Sequence, residues 1–176
     1  MTTTTYATFL RAVNVGGTGK LAMTDLRSLI EEIGGVRPQT YIASGNAVFT
    51  HEGSTPEVQT ALERALATHT GHPMPLCLRT PADLSAILDA LPFPEAEPAK
   101  VAILLTDESF PDDPQAACRH RTVEEIRPAP GALYIHYPEG MGRSKLTHPA
   151  MKTGTVRNLN TLRKVHRMAL DRDGGK

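Results

Sequence analysis

The sequence predicts an α+β protein built from two ferredoxin-like (βαββαβ-type) sheet-and-helix modules packed together. Three observations carry this. Residues 6–79 read as β-α-β-β-α-β, the order of an antiparallel sheet covered on one face by two helices. Residues 100–176 read as β-α-β-β-α, close to that order again although no sequence repeat is visible. A hydrophobic share of 40% with 22% charged residues is that of a folded globular chain, which excludes a disordered or fibrous one.

The first module opens with a strand over residues 6–13, where Tyr6, Thr8, Phe9 and Val13 are strand formers. Residues 14–19 (NVGGTG) are a loop by composition. Thr24 is placed to cap a helix from Asp25 to about Ile33. Leu26, Leu29, Ile30 and Ile33 form its apolar face, and Gly34 and Gly35 close it. Residues 39–51 give two short strand patterns split by Ser44-Gly45-Asn46, a hairpin or a strand bulged at Gly45. Ser54, Pro56 and Glu57 then start a second helix that runs to about Thr70, with Val58, Leu62, Ala65, Leu66 and His69 on its inner side. A strand over 74–79 ends the module.

Thr80 and Asp83 start a third helix carrying Leu84, Ile87, Leu88 and Leu91, and the Pro-rich, acidic run 92–99 is a connector. The expected boundaries are therefore 1–80 for the first module, 81–99 for helix and connector, and 100–176 for the second module with its basic C-terminal helix. Residues 100–106 (KVAILLT) are the most apolar strand, central to a second sheet. A short helix near 114–120, strands near 122–127 and 132–137, and a last helix from about Thr155 complete the chain. That helix carries Val156, Leu159, Leu162, Val165 and Ala169 inward.

Composition narrows the function. Trp is absent and aromatics are only 5%, which weakens any site that stacks bases or sugars. Cys77 and Cys118 stand far apart without a CxxC pattern, as expected of reduced thiols packed in a core. The apolar run 6–15 is too short to span a bilayer and no basic region precedes it, so a cytoplasmic location without membrane association is expected. Net charge is zero but unevenly spread. From Arg143 on there are nine Lys and Arg against two acids, a net +7, which leaves −7 on the rest. Such a basic segment steers an anionic partner or docks on the chain's own acidic part.

One stretch concentrates polar chemistry: residues 6–20, YATFLRAVNVGGTGK, a strand feeding a glycine-rich turn and then a helix. Arg11, Asn14 and Lys20 add side-chain donors to the backbone amides that Gly16 and Gly17 expose. Ser44, Gly45 and Asn46 offer donors at a second turn. Thr155, Arg157 and Asn158 stand at the expected start of the last helix, where free N–H groups hold phosphate or carboxylate, and Lys145 is a further anion contact. Converging, these twelve residues form a cationic pocket at the seam between the modules. The alternative is structural: Asn14 and Asn46 satisfy turns, the glycines supply positive φ, and Arg11 pairs with a buried acid.

Other constellations are weaker. A phosphate-binding loop would need Gly at Asn14 and Ser or Thr at Leu21. His69 and His72 straddle a helix end with no further ligands at fixed spacing, so no metal site is expected. Ser144 and Lys145 are neighbours that point apart, and no oxyanion feature accompanies them. The pairs Asp112-Asp113 and Glu124-Glu125 read as solvated. No cofactor is expected, and no residue pair nominates a catalytic step.

FLRAVNVGGTGKLAMTDLRSLIEEIG, TYIASGNAVF and TVRNLNTLRKV, in this order and spacing, resemble the signatures of the bacterial family catalogued as domain of unknown function 1697. The resemblance runs nearly end to end. It implies a cytoplasmic α+β protein of two sheet-and-helix modules and no established activity. Two positions depart from the pattern: Ala12 stands where glycine is usual, and Leu159 where an aromatic commonly follows the Arg-Asn pair.

Three classes of function follow. The first is a binding protein, with or without catalysis, for a phosphate-bearing or other anionic small molecule. The second is an RNA or DNA binder using a ferredoxin-like sheet, Phe9, Phe49 and the basic C-terminal segment; neutral charge and few aromatics count against it. The third is an interaction module with no small-molecule ligand, whose last helix docks on a partner or a second copy.

Overall fold

The computed structural model describes residues 2–13, 20–110 and 113–174. They divide into two compact units: one holds the described residues through Leu84 and from Val165 on, the other Ser85 to Lys164. The protein is α+β, with two four-stranded antiparallel sheets, each packed with helices.

The first unit runs β1 (Thr4–Leu10), α1 (Met23–Glu32), β2 (Val36–Tyr41), β3 (Asn46–His51), α2 (Thr55–Thr70) and β4 (Leu76–Arg79). Its sheet has the order β2-β3-β1-β4, that of a ferredoxin-like module. In the register Tyr6 faces Phe49 and Ala7 faces Arg79. Tyr6, Leu10, Ala47, Phe49, Leu76 and Leu78 pack with Leu26, Leu29 and Ile30 of α1 and Val58, Leu62 and Leu66 of α2. The opposite parity (Ala7, Phe9, Val48 and Cys77) is buried as well. These strands therefore read as continuous apolar runs rather than as alternating ones.

Local signals account for most boundaries. The Ser54 amide and hydroxyl both donate to the Glu57 carboxylate at 2.8 and 2.6 Å, closing the start of α2. Those hydrogen bonds, the hydroxyl's foremost, hold the Glu57 carboxyl below its ordinary range. Helix α1 differs from expectation. It starts at Met23 with Ala22 at the cap, while the Thr24 carbonyl accepts the Ser28 hydroxyl, so Thr24 is inside the helix. His69 also points outward, its Nε2 3.4 Å from Asp25, because an imidazole finds its partner at the helix surface rather than in an aliphatic core. Strand β2 carries a bulge between Val36 and Gln39, where Arg37 takes φ +50°.

The second unit takes over within α3 (Pro81–Asp89), capped by Thr80 and Asp83 at 2.8 Å. It continues with β5 (Val101–Leu105), β6 (Glu125–Ala129), β7 (Ala132–His136) and β8 (Thr155–Asn158), in the order β6-β7-β5-β8. The apolar β5 is internal, as its composition predicts. One face, with Ala102, Leu104, Leu133 and Ile135, is covered by segments holding Cys118, Met141, Leu146 and Ala150. On the other face the Tyr134 hydroxyl donates to the Ile87 carbonyl at 2.7 Å, and Phe93 lies 5.3 Å from the His136 ring.

Two expectations fail here. The helix predicted near 114–120 is a single 3-10 turn, Pro114–Ala117, and two more 3-10 turns, Met141–Arg143 and Pro149–Lys152, precede β8. Thr155 and Arg157 do not start the last helix; they belong to β8, where Arg157 faces Ile103 and Val156 faces Leu104. The edge of the buried β5 needs a hydrogen-bonding partner, and residues 155–158 supply it. Helix α4 (Leu159–Gly174) follows, capped by Asn158, whose Oδ1 accepts the Thr161 amide at 2.8 Å. Leu159, Leu162, Val165 and Ala169 are buried as expected. In the first unit the Thr5 hydroxyl donates to Asp173 near the end of this helix at 2.9 Å. No helix among the described residues is long and apolar enough to cross a membrane.

Candidate functional site

The sequence-predicted site residues fall on both units. Asn14, Gly16 and Gly17 lie outside the described residues. Arg11 follows β1, half-buried, with its amide bonded to the Pro75 carbonyl at 2.9 Å, and Lys20 is exposed. The Ser44-Gly45-Asn46 turn abuts the same strand end, where the Leu10 amide donates to the Gly45 carbonyl at 2.8 Å. Gly45 has φ +82°, and a Cβ there would sit 2.8 Å from that of Leu10, so this close approach requires glycine. Asn46 is fully buried and donates to the Tyr41 carbonyl and the Ser44 hydroxyl, both at 2.9 Å. Its amide thus ties the hairpin together.

In the second unit, Arg157 is buried in β8 and donates to the Thr155 hydroxyl at 2.8 Å and the Val156 carbonyl at 2.9 Å. Asn158 caps α4. The amide of Thr161, which a free helix start would offer to an anion, is therefore already taken. Arg79 holds the matching station in the first sheet, equally buried and bonded to the carbonyl of the residue before it. Phe9 and Phe49, weighed above as base-stacking contacts, are both fully buried, so neither presents a ring to a nucleotide.

Lys145 leads to a site that sequence reasoning does not assemble. A cleft of about 430 Å³ opens between residues 120–124 and 137–145 of the second unit. His120, Arg121, Arg143 and Lys145 line it, all exposed, together with Thr122, Glu124, Tyr137 and Ser144. The pair Glu124-Glu125 is not solvated as a pair. Glu125 is exposed and bonds Arg127, while Glu124 faces inward, only 3% exposed. Successive residues entering a strand point to opposite sides, which separates them.

Glu124 organises the cleft wall. One carboxylate oxygen accepts the Thr122 amide at 2.7 Å and the Thr122 hydroxyl at 3.3 Å, and the other accepts a short hydrogen bond from the Ser144 hydroxyl. The Arg121 guanidinium donates to the Glu124 carbonyl at 2.9 Å. Burial works to raise the Glu124 carboxyl, but the bonds from Ser144 and Thr122 prevail and hold it at about 2. Beside it, burial pushes the Tyr137 hydroxyl up to about 12, with the Glu124 charge adding to the effect. Burial also raises the Cys118 thiol, which makes it a poor nucleophile. Ser144 accepts the Leu146 amide at 3.1 Å while donating to Glu124, so its hydroxyl is held by protein groups on both sides. Among the described residues no group of three or more His, Cys, Asp or Glu side chains is placed to hold a metal ion.

The chain has clear relatives by family and by structure. Its structure is similar to that of the conserved bacterial protein SP0830 from Streptococcus pneumoniae, with a TM-score of 0.79 and 26% identity over 96% of this chain and 99% of that one. No curated protein matches. Residues 3–134 match the family described as "Protein of unknown function (DUF1697)". With that match spanning most of its length, the chain belongs to the DUF1697 family.

Proposed function

We propose that the protein binds a small anionic molecule, phosphate-bearing or carboxylate-bearing, in the cleft of the second unit. The observation that carries this reading is the cationic rim of that cleft. Arg121, Arg143 and Lys145 border a cavity whose buried carboxylate, Glu124, is already matched by Thr122 and Ser144. Three exposed cations around a concave surface favour an anion by charge and by hydrogen bonding. Glu139 on the same rim favours a ligand that carries a hydroxyl or ammonium group besides its anionic end. The Ser144 and Thr122 bonds hold the wall rigid, which lowers the entropy lost on binding. Of the sequence-predicted site residues, Lys145 lines this cleft.

Thermal unfolding with inorganic phosphate, sugar phosphates, nucleotides and dicarboxylates at millimolar concentration tests this. A ligand at ten times its dissociation constant stabilises by about 1.4 kcal/mol, roughly 3 to 6 °C for a chain of this size. The shift is expected to shrink in Arg143→Gln and Lys145→Gln, both exposed and so tolerant of substitution. No upward shift with any of these anions, or a shift that both variants retain in full, would refute the assignment.

A further inference from the structure

We propose that Arg37 and Arg172, in the first unit, form a second anion site, built for the phosphoryl group of free phosphate or of a phosphomonoester. Both arginines line the same two cavities. One, of about 340 Å³, is shared with Gln39, Met168 and Asp171. The other, of about 310 Å³, is shared with Thr2, Thr3 and Thr50. Neither arginine is in an ion pair among the described residues.

Arg37 is exposed on the β2 bulge, at φ +50°. Arg172, in the last turn of α4, is half-buried, with one guanidinium nitrogen 3.4 Å from the Val36 carbonyl. Its Nε is buried and has no hydrogen-bond acceptor. An unmatched buried donor and two like charges on one shared space are both unfavourable without an oxyanion between them. Burial, and then the Arg37 charge, draw the Arg172 guanidinium below its usual range, the direction that unrelieved repulsion gives. A phosphate dianion supplies the missing acceptor for Nε and balances both charges, and Arg guanidinium forks match its oxygens. Asp171 is the one carboxylate lining either cavity, so the lining keeps a net positive charge. The two cavities that the arginines share leave room for the group esterified to the phosphate.

NMR of the arginine Nε–H signals of the full chain, at fixed ionic strength, tests this with inorganic phosphate, phenyl phosphate and acetate. The Arg172 Nε–H signal is expected to move with phosphate or phenyl phosphate and to stay put with acetate. Tighter binding of phenyl phosphate identifies a monoester site and equal binding a site for the free ion. Arg37→Gln is expected to weaken the response at least about tenfold, the loss of one charge-assisted hydrogen-bonded contact. Arg37→Gly suits the positive φ and so folds. It is expected to melt no lower than the wild type without phosphate, and to lose the phosphate response. An unmoved Arg172 signal, an equal response to acetate, or full affinity in Arg37→Gly would overturn the proposal. Arg143→Gln and Lys145→Gln leave this signal's response intact, so failure here is separable from failure in the second unit's cleft.

Discussion

Ala12, the second residue after β1, holds φ at +57°, in the region where a Cβ is crowded by the backbone. Glycine, with no Cβ, takes this conformation without that crowding. Ala12→Gly is therefore expected to raise stability by about 1 kcal/mol in urea unfolding, although the same change inside a helix or strand lowers it. The opposite sign is the diagnostic. Glu124 makes a second test. Its carboxyl stands at about 2 in the folded protein against an ordinary 4.5, so its contribution is complete above pH 4.5 and is lost as pH falls from there toward 2. Glu124→Gln does not titrate. Urea midpoints measured between pH 6 and pH 2 are expected to fall more steeply for the wild type, by on the order of 2 kcal/mol across that window. Nothing in the sequence marks Glu124 as inward-facing, because its partners Thr122 and Ser144 come from a local turn and from a segment twenty residues on. By contrast, Gly45 and Asn46 are readable from the turn pattern itself, and each is fixed by contacts to residues a few positions away or on the neighbouring strand.

Elements whose limits depend on adjacent residues were legible in the sequence. The Ser54–Glu57 and Thr80–Asp83 pairs start α2 and α3 where the pattern places them, and the 44–46 turn makes the β2–β3 hairpin. Strand β8 was not legible. Its four residues run straight into a helical pattern, and what makes them a strand is the edge of β5, fifty residues earlier. The start of the last helix accordingly moves from Thr155 to Leu159, with Asn158 as its cap. Asn158→Ala is expected to destabilise the protein by about 1 kcal/mol, read as a lower thermal midpoint, whereas Thr24→Ala leaves the start of α1 uncapped by a side chain, as it already is. The same reasoning covers the 3-10 turn at Pro114–Ala117. Its leading proline and two alanines suit a helix start, but a segment that short closes too few bonds to propagate.

Over the whole chain, element order was the strongest signal, because it repeats: β2-β3-β1-β4 and β6-β7-β5-β8 are the same arrangement, with Arg79 and Arg157 at corresponding stations. The cleft was invisible because it joins two loops of the second half that share no motif. Net charge was a poor guide as well. The basic C-terminal run divides among the cleft, with Arg143 and Lys145, strand β8, with Arg157, and α4, with Arg172, so its charges serve separate surfaces rather than one.

The covering of the second sheet has a further consequence. Where the first sheet lies under α1 and α2, the corresponding face of the second lies under loops and three 3-10 turns. A helix is an all-or-none cover, since changing one turn disturbs the hydrogen bonds of the next. Short turns close their bonds independently, so each can be lengthened, shortened or resequenced while β5 and β7 stay as they are. The first half of the molecule is thus constrained in form, and the second half is where the surface over the sheet can change without refolding.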